Sequence, residues 1–312
     1  MPRRVAVVGP TASGKSSVAM AVAERLGDVE LISVDSMQVY RGMDIGTAKP
    51  SATERARVPH RLLDLVSPAD EFTVAEFQRA YRSTLDDLAV RGRRAILVGG
   101  TGLYHRAVID DLDLPGEWPD VRERLLAELA DVGPEAMHAR LVGLDPDAAA
   151  RMEPTNERRI VRALEVCEGS GRRFSSFGPG LDAYPPTDVV QIGLRWDRAV
   201  LTERIAARVH TMVADGLVDE VRDIRATSGF SRTAAQALGY KEILEHLDGA
   251  CSLDEAVDQV VVRTRQFAIR QLRWFGRDPR VRWVDVDADP VAEVTPLVVE
   301  ALDESDGVSP AG

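Results

Sequence analysis

Nowhere does the sequence hold an apolar run approaching the ~20 residues a bilayer span needs, so no membrane helix is expected. Cysteine is almost absent. Cys167 and Cys251 stand far apart and match no metal-ligand spacing, which reads as two reduced thiols in a cytoplasmic protein. After Met1-Pro-Arg-Arg there is no apolar stretch with a small-residue cleavage site, so no secretory leader is expected. Internal repeats and long low-complexity segments are lacking too. Positive charge is in deficit: 39 Lys and Arg face 50 Asp and Glu, a net −11 that taken alone argues against a nucleic-acid partner. Binding depends on where charge lies, however, and not on its sum.

What is present is a chain of 312 residues, 45% apolar and 29% charged, the composition of a folded soluble protein with a main domain and a smaller one. Short apolar runs at Arg4 to Val8, Glu30 to Val34 and Arg94 to Val98 read as buried strands, the third closed by Gly99-Gly100. Helices are predicted from Ser13 to Leu26 and after the Thr73/Glu76 capping box. This alternation predicts an α/β fold, an open parallel sheet flanked by helices. From Val121 to Glu168 only helical patterns appear, predicted as Val121 to Ala130, Pro134 to Leu141, Asp145 to Arg151 and Thr155 to Glu168. A further strand is predicted from Val189 to Leu194. Long helices follow, the last opened by Ser252 and Glu255, and then a strand at Arg282 to Val286. The expected division is a catalytic core of residues 1–112 and 188–303, a small all-helical insertion domain of residues 113–187, and a disordered tail of residues 304–312.

Gly9-Pro-Thr-Ala-Ser-Gly-Lys-Ser16 is a P-loop between a predicted strand and a predicted helix, the context that gives the motif its meaning. The backbone of Gly9, Thr11, Ala12, Ser13 and Gly14 wraps a phosphate, Lys15 adds a mobile positive charge, and the Ser16 hydroxyl is a ligand for Mg2+. A kinase or NTPase would add an acid at the end of a later strand. Here that strand ends in Gly99-Gly100-Thr101, which argues against ordinary phosphoryl transfer. Asp35 ends the second strand and is predicted to face the same crevice, able to take a proton. Thr101 is the one side chain near its glycine turn able to donate a hydrogen bond.

These residues, with Asp35-Ser-Met-Gln-Val-Tyr40, Ile45-Gly-Thr-Ala-Lys-Pro50, Arg159-Ile-Val-Arg-Ala-Leu-Glu165, Gln236-Ala-Leu-Gly-Tyr-Lys-Glu242 and Arg270-Gln271, resemble the bacterial tRNA dimethylallyltransferases in order along nearly the whole chain. The resemblance implies transfer of a dimethylallyl group from dimethylallyl diphosphate to the exocyclic amine of the adenosine 3′ of the anticodon. It implies Asp35 as base, Thr101 on the bridging oxygen and Arg222 on the diphosphate. It also implies contacts to the tRNA anticodon stem-loop from Asp35, Ser36, Met37, Gln38 and Thr101 and from Arg158, Arg159, Ile160, Val161 and Arg162. Two departures stand out: Arg158 where the family commonly has Gln, and Arg61 where a second His is frequent after His60, itself expected to make a structural hydrogen bond. The chain also lacks the cysteines of the zinc finger that eukaryotic relatives append.

Charge, read locally, agrees with an RNA partner. Between Arg263 and Arg282 seven arginines, Arg273 and Arg277 among them, face a single acid, Asp278. Competing readings are an adenylate isopentenyltransferase acting on a free nucleotide, a small-molecule P-loop kinase, and a P-loop protein without catalysis. A monomer is the default expectation.

Overall fold

The computed structural model describes residues 4–178 and 180–304. They form two compact units, one containing residues 4–109 and 186–304 and the other residues 110–185.

The first unit is built on six parallel strands: β1 (Arg4–Val8), β2 (Val29–Val34), β3 (His60–Arg61), β4 (Arg94–Gly99), β5 (Val190–Arg195) and β6 (Val281–Asp285), in the order β3-β2-β4-β1-β5-β6. Its helices are α1 (Lys15–Leu26), α2 (Ala52–Arg57), α3 (Val74–Val90), α4 (Gly102–Ile109), α8 (Arg198–Ala214), α9 (Leu217–Thr227), α10 (Tyr240–Leu247), α11 (Leu253–Phe275) and α12 (Pro290–Glu304). Those of the second unit are α5 (Pro119–Leu144), α6 (Pro146–Ala149) and α7 (Glu157–Ser170).

Side-chain alternation along the central strand explains why helices cover both faces. Val5 and Val7 join one core with Val18 of α1, Leu201 of α8 and Val298 of α12. Ala6 and Val8 join the other with Phe77 of α3, Tyr104 of α4 and Tyr240 of α10. A strand buried on both faces has to be apolar throughout, as the run Val5 to Val8 is. The two predicted capping boxes form: Thr73 and Glu76 open α3, and Ser252 and Glu255 open α11.

Four helices and strands have no counterpart in the expectations, α4 after the Gly99-Gly100 turn among them. β3 is two residues long, too short to leave a pattern, and α2 is one and a half turns. α12 carries Pro296 in its interior, a residue that reads as a helix breaker. Its last residue, Glu304, is the first of the expected tail; the rest of that tail lies outside the described residues. In the second unit the first two predicted helices both form, as the two halves of α5 on either side of Gly133, where φ is 78° and ψ 167°. Its core is Leu125, Met137, Leu141, Ile160, Val161 and Leu164. Ile160 and Val161 are thus interior residues, which corrects their expected place on the RNA. Helical spacing puts 160, 161 and 164 on one inward stripe, with Arg158 and Arg159 on the exposed side.

Candidate active site

The phosphate loop joins β1 to α1. Gly14 caps the helix with φ 94°, in the left-handed region, and a Cβ there would lie 2.6 Å from Pro290 Cγ; glycine is required on both counts. The loop is fixed from outside by side chains far away in sequence. Trp196 Nε1 donates to the Ser13 carbonyl (2.9 Å) and Arg204 Nε to that of Ala12 (2.9 Å), with the Arg204 guanidinium stacked over the Trp196 ring. Gln271, buried on α11, accepts from the Thr11 amide (2.8 Å) and donates to the Gly100 carbonyl (3.0 Å), tying the phosphate loop to the turn after β4. The first amides of α1 have no partners within the helix and offer themselves to an anion. Lys15 Nζ donates to the Pro10 carbonyl (2.5 Å). Burial, and then the positive charge of Arg208, bring its pKa down to about 7.

Asp35 ends β2. Its Oδ1 accepts from the amides of Met37 (2.8 Å) and Gln38 (3.3 Å), which fixes the carboxylate plane and leaves Oδ2 outside that turn. Burial pushes the Asp35 carboxyl up, opposed by those amides and by Lys15 and Arg208. Thr101 Oγ1 accepts from the Ser36 amide (3.2 Å). Thr11, Ala12, Asp35, Ser36, Thr101 and Arg208 line one cavity of about 350 Å³, and its remaining wall includes Ile205, Val209, Met212, Leu217, Val260 and Phe267. The lining thus combines cationic and hydrogen-bonding groups with apolar side chains, a mixture suited to a short hydrocarbon carrying phosphates.

Residues 38–278 match the IPP transferase family, and residues 3–65 match isopentenyl transferase. The tRNA dimethylallyltransferase of Thermobifida fusca is 52% identical over 308 residues, covering 96% of this chain and 95% of the relative. That of Streptomyces coelicolor is 52% identical over 284 residues, covering 91% and 90%. The chain belongs to the tRNA dimethylallyltransferase family. It is therefore a transferase, with the α/β fold of its relatives. The full-length tRNA isopentenylpyrophosphate transferase of Bacillus halodurans superposes with a TM-score of 0.70 at 40% identity, covering 98% of each chain. A eukaryotic dimethylallyltransferase acting on tRNA shares the fold, with a TM-score of 0.80 at 24% identity over 99% of this chain and 81% of that one.

Against this family background, the structure gathers some of the expected site residues and disperses others. Thr11, Ala12, Asp35, Ser36, Met37 and Thr101 line the cavity, and Lys15 and Ser16 open α1 beside it. Arg222 does not line it. Leu217, Val221 and Ile224 turn the apolar stripe of α9 inward, which puts Arg222 on the exposed side against Asp219. Arg208 stands in the place expected for Arg222. The signal was Arg204 and Arg208, four apart on one face of α8, both turned to the phosphate loop. Gln38 is consumed by the scaffold: its Oε1 accepts from Ser33 Oγ (2.7 Å) and its Nε2 donates to the carbonyls of Thr47 (3.0 Å) and Ala48 (3.3 Å). Arg162 donates to the carbonyls of Pro115 and Gly116 (3.0 Å each) and pairs with Glu165. Arg263 and Arg280 are neutralised by Glu242 and Asp278. Arg158, Arg159, Arg273 and Arg277 are exposed and, among the described residues, form no ion pair. His60 Nδ1 donates to the Val58 carbonyl (2.8 Å), a structural bond.

Among the described residues no cluster of three or more His, Cys, Asp or Glu side chains could hold a metal. The Ser16 hydroxyl at the head of α1 suits a Mg2+ that arrives on the diphosphate and keeps most of its water, not one caged by protein. Among those residues, too, no helix is long and apolar enough to cross a membrane.

Proposed function

We propose that this chain moves the dimethylallyl group of dimethylallyl diphosphate onto the exocyclic amine of the adenosine 3′ of the anticodon in tRNA. The carrying observation is the convergence of Asp35, Thr101 and Arg208 with the phosphate loop on one cavity that also has an apolar wall. The amides of the loop, Lys15 and Arg208 hold the diphosphate. The dimethylallyl chain lies along Val209, Met212 and their neighbours. As the carbon–oxygen bond breaks, Thr101 donates to the bridging oxygen, where negative charge appears. The Ser36 amide donates to the Thr101 hydroxyl oxygen and leaves its proton for the substrate. The amine attacks the freed carbon and its surplus proton passes to Asp35, while diphosphate leaves. Mg2+, held by Ser16 and phosphate oxygens, would neutralise charge on the leaving group. Arg158, Arg159, Arg273 and Arg277 contact RNA phosphates. The proposed acting unit is a monomer working in the cytoplasm on its tRNA acceptor.

Incubation with labelled dimethylallyl diphosphate should put label into unmodified tRNA and none into free adenylate. Asp35→Asn keeps the shape and loses the base, and should lower kcat by ~10²–10⁴ with tRNA affinity retained. Label in adenylate, or an Asp35→Asn enzyme that loses tRNA affinity while kcat holds, overturns the proposal.

A further inference from the structure

Gln38 spends its whole amide on the scaffold, and what it holds is the loop of residues 44–48, which carries Gly46 and Thr47 into the cavity wall. That loop is gripped a second time from the opposite side. The Glu220 carboxylate, one residue before the inward-facing Val221 of α9, accepts from three successive amides: Asp44 (3.0 Å) and Ile45 (2.7 Å) on Oε2, and Gly46 (3.3 Å) on Oε1. Tyr240, fully buried at the start of α10, donates its hydroxyl to the same Oε1 at 2.5 Å. The packing is close. A Cβ on Gly46 would lie 2.4 Å from the Tyr240 ring, so loop and ring meet without a side chain between them.

Connected in order, these bonds run from the Tyr240 hydroxyl to Glu220, through the amides of residues 44–46, out of the carbonyls of Thr47 and Ala48 to the Gln38 side chain, and from the main-chain N–H of Gln38 to Asp35 Oδ1. We infer that Glu220 and Tyr240 are positioning residues for Asp35: an anion spanning three backbone amides, itself oriented by a buried phenol, fixes the loop that fixes the turn that aims the base. A carboxylate taking several N–H donors forms charge-assisted bonds of about twice ordinary strength, and neither a neutral amide nor a shorter acid at position 220 reproduces them. The inference rests on the assignment of Asp35 as base.

Tyr240→Phe removes one oxygen from a buried ring and is the mild probe; Glu220→Gln puts an NH2 group among three donors and is the severe one. Both should lower single-turnover kcat, by about tenfold and up to ~10² respectively, with KM for dimethylallyl diphosphate within about twofold of wild type. A generally loosened site would raise KM in step with the loss of kcat. The deciding measurement is a double-mutant cycle. In an Asp35→Asn background Tyr240→Phe should cost nothing further, because what it positions is gone. If the two losses multiply, the network does not act through Asp35 and the inference fails. If Tyr240→Phe and Glu220→Gln leave kcat unchanged while Asp35→Asn abolishes it, the positioning role fails and the base survives. If Asp35→Asn itself retains kcat, the underlying assignment fails first.

Discussion

Replacing Gln271 with Leu tests how the two halves of the site are held in register. The side chain is 5% exposed and satisfies two main-chain groups at once, the Thr11 amide at 2.8 Å and the Gly100 carbonyl at 3.0 Å. Leucine has nearly the same volume and neither bond. Each buried group left without a partner costs ~1–3 kcal/mol, so the pair sets a range of ~2–6 kcal/mol. Thr11 lines the open cavity and its amide can turn to water, which pulls the figure toward ~3 kcal/mol. At ~2–4 °C per kcal/mol the melting temperature should fall by ~6–12 °C. The catalytic loss has a distinct form. Thr11 belongs to the phosphate loop and Gly100 to the turn that carries Thr101, so relaxing their spacing should raise KM for dimethylallyl diphosphate and lower kcat together. Gln271→Glu sharpens the test: it keeps the acceptor for Thr11 and sets a carboxylate oxygen against the Gly100 carbonyl, and should be no better than Leu. Thermal melts and steady-state kinetics on the two variants suffice. A Gln271→Leu enzyme that melts within about 1 °C of wild type, with both constants unchanged, would refute the bridge.

Arg208→Gln should raise KM for dimethylallyl diphosphate by about tenfold or more, whereas Arg222→Gln should leave both constants near wild type; steady-state kinetics of the pair decide which arginine meets the substrate. Lys15 in the free enzyme, with its pKa lowered to about 7, loses its proton as pH rises past neutrality. Since the protonated amine binds the anion, affinity for dimethylallyl diphosphate should fall by up to ~10-fold per pH unit above that point, and titration calorimetry at pH values around 7, 8 and 9 would detect a flat response. Affinity for tRNA should fall steeply with salt despite the net charge of −11. Arg273→Gln and Arg277→Gln should each reduce the slope by about 0.7–0.9 if each meets one phosphate, without changing diphosphate binding.

Local signals in the sequence carried most of the core. Five strands, the phosphate loop, Asp35 and Thr101 are legible because burial pattern and motif lie within a few consecutive residues. What escaped is set by distant parts of the chain. No local pattern says that Gln271 bridges two loops or that Gln38 is spent on carbonyls. Helical phase could have decided two other cases, Arg222 and the pair Ile160 and Val161. Val221 faces inward and its successor cannot share that direction; Ile160 and Val161 follow the apolar stripe of α7 and belong to the core. The motif Arg159-Ile-Val-Arg162 thus mixes exposed and interior positions, which only the helix separates.

The strand order bears on how such a chain can be made. β1 lies mid-sheet, and its neighbours, reached through Ala95 and Val190, are translated long after it. The loop that follows β1 is propped by Trp196, Arg204 and Gln271, and last of all by Pro290 against Gly14. While a nascent chain leaves the ribosome, the residues that will grip phosphate emerge well before those that complete their hold. The second unit, a run of consecutive helices with its own core, can close within the interval. Affinity for diphosphate should therefore arise abruptly, near the release of α12. A chain arrested before Pro290 would carry the entire P-loop motif and grip nothing with it.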